Sequence, residues 1–305
     1  MAGAVSLPAA RGSRSVLPRG RWARGTVTLA KPWRPLSAVV GIAVLLVLAA
    51  GALAGPWLWP VDPEAQDLAN RLAAPWGLGG RDAHPLGTDT LGRDTLARLI
   101  VGARVSLPLA VLATGVAGTI GVTLGVAAGF RGGWLDRVVT WLADVQLAIP
   151  FVVFAIAVTA TFGNSIGNVL ATLIVTGWVG YARVLRLQAR ALRATEWMAA
   201  ARAIGATPGR VLARHLLPNL LTPAAILATQ QAGAMILYES SLSFLGLGIG
   251  GDAVTWGGMA ALGRDAIFVA PWLAAIPGAA IALAILGCNL TGDWLATWGS
   301  RSAWR

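Results

Sequence analysis

The sequence predicts an all-α membrane protein that crosses the bilayer six times and keeps both termini in the cytoplasm. Hydrophobic residues make up 56% of the 305 and charged ones only 12%, with mean hydropathy +0.68, more apolar surface than one soluble core can hide. Uncharged runs at 35–61, 105–130, 145–182, 215–238 and 266–292 each exceed the about 20 residues that a crossing helix needs. Basic residues concentrate in alternate connections, as retention on the cytoplasmic side requires.

The elements follow in order. The first 35 residues carry seven basic side chains and no acid, which places segment 1–35 in the cytoplasm and makes 36–60 the first transmembrane helix. A signal peptide cleaved near Ala52-Leu53-Ala54 is the alternative, but the apolar run is longer than the about 7–15 residues of a signal core, which favours a signal-anchor helix. Segment 61–104 is an outer loop whose 62–104 stretch holds six acids and five arginines, and 105–292 forms a core of five helices. Run 145–182 is too long for one crossing, and Gly163-Asn164-Ser165 supplies the turn that splits it in two. The polar interruption 184–219 returns to the cytoplasm, Asp252 and Asp265 fall outside, and 293–305 is a cytoplasmic tail. Gly115, Gly118, Gly121 and Gly125 predict close helix approach. Trp57, Trp59, Trp141, Trp178 and Trp272 predict interfacial anchors.

Several chemistries are excluded. Lys31 is the only lysine and is followed by Pro32, so no phosphate-cradling loop ending in Gly-Lys-Ser/Thr exists and any ATP is bound by another chain; no cofactor is expected here. His84 and His215 fall on opposite sides of the membrane and Cys288 is the sole cysteine, which leaves no metal site and no disulfide. No serine hydrolase pattern is present. The net charge of +11 is explained by topology, and nucleic acid is not an expected partner.

Between Arg183 and Arg214 lie seven arginines and one acid, Glu196. Thr195 can cap a short helix there, Glu196 complements its positive end and Gly205 terminates it, after which Thr207-Pro208-Gly209 predicts a turn. Ala199, Ala200, Ala201 and Ala203 leave a smooth face that can seat in a groove, and Arg202 offers a bidentate contact to a carboxylate. An ordinary loop between helices is the plainer reading. Spacing favours the docking reading: Ala199-Ala200-Ala201, Gly205, His215 and Leu217-Pro218 resemble the docking segment of permeases of ATP-binding-cassette (ABC) importers. Ala199 stands where that motif has glutamate and His215 where it has an aliphatic residue. Glu196, one turn earlier, is the residue expected to supply the missing carboxylate.

The resemblance extends from about His84 to Asp293 and is to the dipeptide/oligopeptide/nickel permeases. It is carried by His84-Pro-Leu-Gly-Thr-Asp89-Thr-Leu-Gly-Arg93-Asp94, Gly102-Ala-Arg104, Glu239-Ser-Ser-Leu-Ser-Phe-Leu-Gly-Leu-Gly248 and Asn289-Leu-Thr-Gly-Asp293. It implies the type I importer (MetI-like) permease fold, a second homologous permease, separate cytoplasmic ATPases, an extracytoplasmic binding protein and a di- or oligopeptide cargo, with nickel or a metal chelate as runner-up. An ATP-independent channel or secondary transporter is the rival of a different class. Asp144 and Glu239, at or inside span ends, are candidates to line or brace the translocation path; a helix-end carboxylate paired with arginine is the alternative. His84, Asp89, Arg93 and Asp94 either recognise substrate or binding protein, or stabilise their own loop.

Overall fold

The computed structural model describes residues 34–80, 83–251 and 253–302; the Arg-rich leader and Asp252 lie outside the described residues. Ten α-helices are joined by turns, with no strand among these residues: α1 (Arg34–Leu58), α2 (Thr95–Arg131), α3 (Gly133–Ala148), α4 (Phe151–Phe162), α5 (Ile166–Arg193), α6 (Glu196–Ala203), α7 (Pro208–Val211), α8 (Leu217–Phe244), α9 (Trp256–Arg264) and α10 (Trp272–Ser302). Five helical stretches are long and apolar enough to cross a membrane: Leu36–Leu58, Thr95–Arg131, Ile166–Arg193, Pro208–Phe244 and Trp272–Trp298.

The sixth expected crossing is the α3–α4 pair, which bends by 83° instead of running straight from 145 to Gly163. Pro150 is the cause: it disfavours helical backbone in the residue before it, and Ile149 is accordingly extended at φ −97°, ψ 116°. At 12 residues, α4 is about 18 Å long and cannot cross the roughly 30 Å hydrocarbon layer alone. The turn expected at Gly163-Asn164-Ser165 does separate α4 from α5. Ser165 Oγ accepts from the Asn168 amide at 3.2 Å, and Asn168 Nδ2 donates to the carbonyls of Phe162 and Gly163 at 3.0 and 2.8 Å.

Charge ended the uncharged runs but not the helices. Helix α2 starts at Thr95, ten residues before run 105–130, and carries Arg98 and Arg104; α10 continues past 292 through Asp293 to Ser302, so the segment taken as a tail is helical up to there. Thr207-Pro208-Gly209 is not a free turn. Pro208 opens α7, where its missing N–H costs nothing, and a π turn at Leu212–Leu216 joins α7 to α8.

The centre of the bundle is the contact between α2 and α5. A Cβ at Gly121, Gly125 or Gly129 would overlap the carbonyl oxygens of Trp178, Ala182 and Arg186 respectively. Both rows repeat every four residues, so the two backbones touch along one continuous seam. Gly118 faces the Tyr181 ring, whereas Gly115 faces open space and takes no part. Helix α10 packs on α1, α8 and α9, with Gly41 and Gly287 letting α1 and α10 approach. Trp57 and Trp141 are exposed, whereas Trp59 and Trp178 are partly buried against protein. Gly125→Val is expected to cost at least about 1–3 kcal/mol by overpacking the seam, and Gly115→Ala to be within about 0.5 kcal/mol of neutral. Thermal unfolding of the two variants in detergent measures the difference.

Candidate coupling site

Helix α5 ends at a rim built from the interrupted, Arg-rich segment. The Ala194 and Thr195 amides fold back on Ala191 and Leu192, and Thr195 Oγ1 also donates to the Leu192 carbonyl at 2.7 Å. Thr195 therefore stands at the N-cap position of α6 without capping it through its side chain. The other end is as the sequence indicates: Gly205 takes φ +85°, its amide donates to Arg202 and the Ala206 amide to Ala201, the paired bonds of a Schellman stop.

Helix α6 has two faces. Met198, 1% exposed, is sunk into a cluster of Val126, Leu185, Ala189, Val211, Leu216 and Leu220, drawn from α2, α5, α7, the π turn and α8. On the open side, Glu196, Trp197, Ala199, Ala200, Arg202, Ala203 and Gly205 are exposed and Ala201 is half-buried. Ile204, at 87% exposure, has no intramolecular reason to be apolar. One guanidinium N–H of Arg202 donates to the Arg193 carbonyl at 3.1 Å, leaving the others free for a partner. Glu196 forms no ion pair among the described residues, and a carboxylate at this position remains available to a cation outside the chain.

Fold brings the two halves of the docking pattern together. The Trp197 and His215 rings lie 6.2 Å apart, and Leu216, beside the exposed Leu217 and Pro218, is fully buried under Met198's cluster. Met198 and Ile204 were not singled out by sequence reasoning. Their available signal was the spacing of one apolar residue into and one out of a short, otherwise small-residue helix.

The His84–Asp94 motif is far from this rim, at the opposite end of α2, a helix about 55 Å long. Asp94 caps α2 by accepting from the Ala97 amide at 2.7 Å, and also accepts from Trp59 Nε1 at 3.2 Å and pairs with His84 Nδ1 at 2.8 Å. Asp89 holds the amides of Leu91 and Arg93 at 2.8 and 2.9 Å and the Arg93 Nε at 2.7 Å. Glu64 bridges Arg93 and Arg98 at 3.1 and 2.6 Å. Asp89, Arg93, Asp94 and Arg98 are all buried; Asp89, Arg93 and Arg98 pair with one another and Glu64, Asp94 with His84 and Trp59, and together they clamp the loop to α2. Gly92 makes the turn possible: its φ is +77°, and a side chain there would overlap the Asp67 backbone. Nearby, the hydrogen bond from Asn70 holds the exposed Asp67 carboxyl below the usual range. Glu64 and Arg98 were missed in the sequence, although an arginine at the apolar entry of a helix was a visible cue.

The two candidate path carboxylates separate. Asp144 is exposed and paired with Arg183. Glu239, fully buried in α8, accepts from Ser243 Oγ at 2.8 Å and Ser240 Oγ at 3.4 Å, with Ser106 of α2 and Thr255 also turned toward it. Its carboxylate is enclosed by hydroxyls at a junction of helices. No cluster of metal-ligating side chains occurs among the described residues.

A bundle with several helices apolar enough to cross a membrane, and a short helix half-exposed at one rim, defines a multi-pass membrane protein. Residues 121–305 match the family described as binding-protein-dependent transport system inner membrane component, and residues 37–75 match the N-terminal TM domain of oligopeptide transport permease C. The chain belongs to this family of transport-system inner membrane components. It is 35% identical to the dipeptide transport system permease protein DppC of Alkalihalophilus pseudofirmus over 88% of this chain and 89% of that protein. It is 34% identical to the glutathione transport system permease protein GsiD of Pectobacterium atrosepticum, covering 87% and 89% of the two chains. With the di/tripeptide permease DppC of Pseudomonas aeruginosa the identity is 35%, over 85% and 86%.

Met198→Ala is expected to remove about 2–5 kcal/mol of packing from under α6. Hydrogen exchange should then speed up in α6 and α7 while the α2–α5 seam keeps its protection; unchanged α6 protection would show that Met198 is not its anchor.

Proposed function

We propose that this chain is one permease of an ABC importer that carries di- or oligopeptides inward, with the work of ATP hydrolysis done by separate cytoplasmic subunits. The observation that carries the reading is the divided α6, whose Met198 is locked into the bundle while Trp197, the alanine face and Ile204 stand open. A helix held this way converts displacement by a partner into displacement of α2, α5 and α8. The peptide cargo is supported by the relatives, which are named for dipeptide, di/tripeptide and glutathione transport.

In this reading α3 and α4 together make the sixth crossing, the N- and C-termini face the cytoplasm, and a second, homologous permease completes the pore. The α6 helices of the two permeases sit in grooves of the ATPase pair. Closure of that pair draws the rims together and opens the outer ends, where an extracytoplasmic binding protein delivers its ligand. Catalysis belongs to the ATPases. Glu239 serves as a buried polar brace between α8 and α2, and Asp144 as the rim partner of Arg183. The outer residues His84, Asp89, Arg93 and Asp94 hold the loop in shape for the binding protein.

Purification of the tagged chain in mild detergent, with mass spectrometry of what remains bound, tests the assembly. A second permease and P-loop ATPases are expected to copurify. Gly205→Val, which forces a β-branched residue into positive φ, is expected to preserve membrane insertion and cut peptide uptake at least about tenfold, the equivalent of roughly 1.4 kcal/mol. Uptake by the chain alone in liposomes without ATP would instead establish a channel or secondary transporter.

A further inference from the structure

Helices α3 and α5 enclose a groove of about 270 Å³ on the same rim, lined by Val139, Ala143, Ala182 and Leu187 together with Arg183 and Arg186. Two ion pairs bracket it. Asp136 holds Arg186 through both carboxylate oxygens, one of them from Arg186 Nη2 at 2.9 Å, and Asp144 holds Arg183. The positive charge exceeds what these acids neutralise. Arg183 and Arg186 line the groove, and Arg190, at i+7 from Arg183 on α5, and Arg137 on α3 stand on the same two helices outside its lining, adding two guanidiniums to the two that the acids pair. Arg137 and Arg190 are exposed and form no ion pair among the described residues. Arg183, a lining residue, uses a single N–H on Asp144 and is 48% exposed at its side chain, so its other donors are open to solvent or a ligand.

We propose that this groove holds the headgroup of one anionic phospholipid. A phosphodiester carries a single negative charge and acceptor oxygens for the Arg183 N–H groups that Asp144 does not use, with Arg190 adding positive charge two turns along α5. The volume suits a head and its glycerol, and Val139, Ala143, Ala182 and Leu187 give the groove an apolar wall. An apolar wall beneath a basic mouth matches a lipid better than a free anion, which gains nothing from Leu187 or Val139. A zwitterionic lipid brings a second positive charge to an already positive rim. The inference depends on α3 and α5 standing in the bilayer, and is independent of what α6 binds.

The test uses the transporter purified with its bound partners in neutral detergent and exposed to micelles containing phosphatidylglycerol or phosphatidylcholine. Lipid retained after gel filtration is quantified by mass spectrometry. The native chain is expected to keep phosphatidylglycerol and release phosphatidylcholine. Arg183→Gln and Asp144→Asn break the same ion pair, so a purely structural role moves both variants alike. A bound anionic head moves them oppositely: Arg183→Gln lowers retention of phosphatidylglycerol roughly fivefold, and Asp144→Asn raises it. Retention falling in both variants, equal retention of the two lipids, or displacement by inorganic phosphate would each overturn the proposal. Undiminished peptide uptake by a Gly205→Val transporter that still keeps phosphatidylglycerol would count against the coupling reading alone.

Discussion

The backbone contact between α2 and α5 is the constraint on which the rest of the molecule depends. Glycine in a helix interior costs about 1 kcal/mol relative to alanine, so three glycines in register are tolerated only where removing the side chain gains more than it loses. In an apolar solvent that gain comes from close packing, because lipid offers no hydrophobic drive to bring helices together. Gly121, Gly125 and Gly129 provide it by letting carbonyls of α5 sit where side chains would otherwise stand. Once the seam is made, the position of Arg186, Ala189 and the end of α5 is set by α2, and the rim follows.

Polar chemistry is distributed to the two ends of this seam for different reasons. At the end where α2 begins, Glu64, Asp89, Arg93 and Arg98 form a network of ion pairs, and Asp94 caps the helix beside it. Along the way Glu239 is surrounded by hydroxyls, which makes an enclosed carboxylate tolerable at the contact of α2, α8 and α9. At the other end the balance is left open: arginines outnumber acids and Ile204 faces outward.

Much of this was legible in the sequence, and the failures share a cause. Uncharged runs located the bundle's helices, but their ends were misplaced wherever an arginine or aspartate lay inside a helix, as at Arg98, Arg104 and Asp293. A charge interrupts a hydropathy run without interrupting backbone hydrogen bonding. Proline was misjudged twice, in opposite senses. Pro150 broke a span that composition showed as continuous, while Pro208 began a helix where a turn was expected.

By itself the sequence determined the solvent, the approximate spans, the Gly205 stop and the spacing of the docking pattern, since these depend on composition and on neighbours a few residues apart. Tertiary structure alone decided which glycines form the seam, that Met198 rather than an alanine anchors α6, and that Asp144 meets Arg183 while Glu239 meets serines. Each of those outcomes depends on which helix faces which. Partners across 39 or 150 positions, as for Arg183 with Asp144 and the Trp256 amide with Ser106 Oγ, carry no local signature and exist only once the helices have packed.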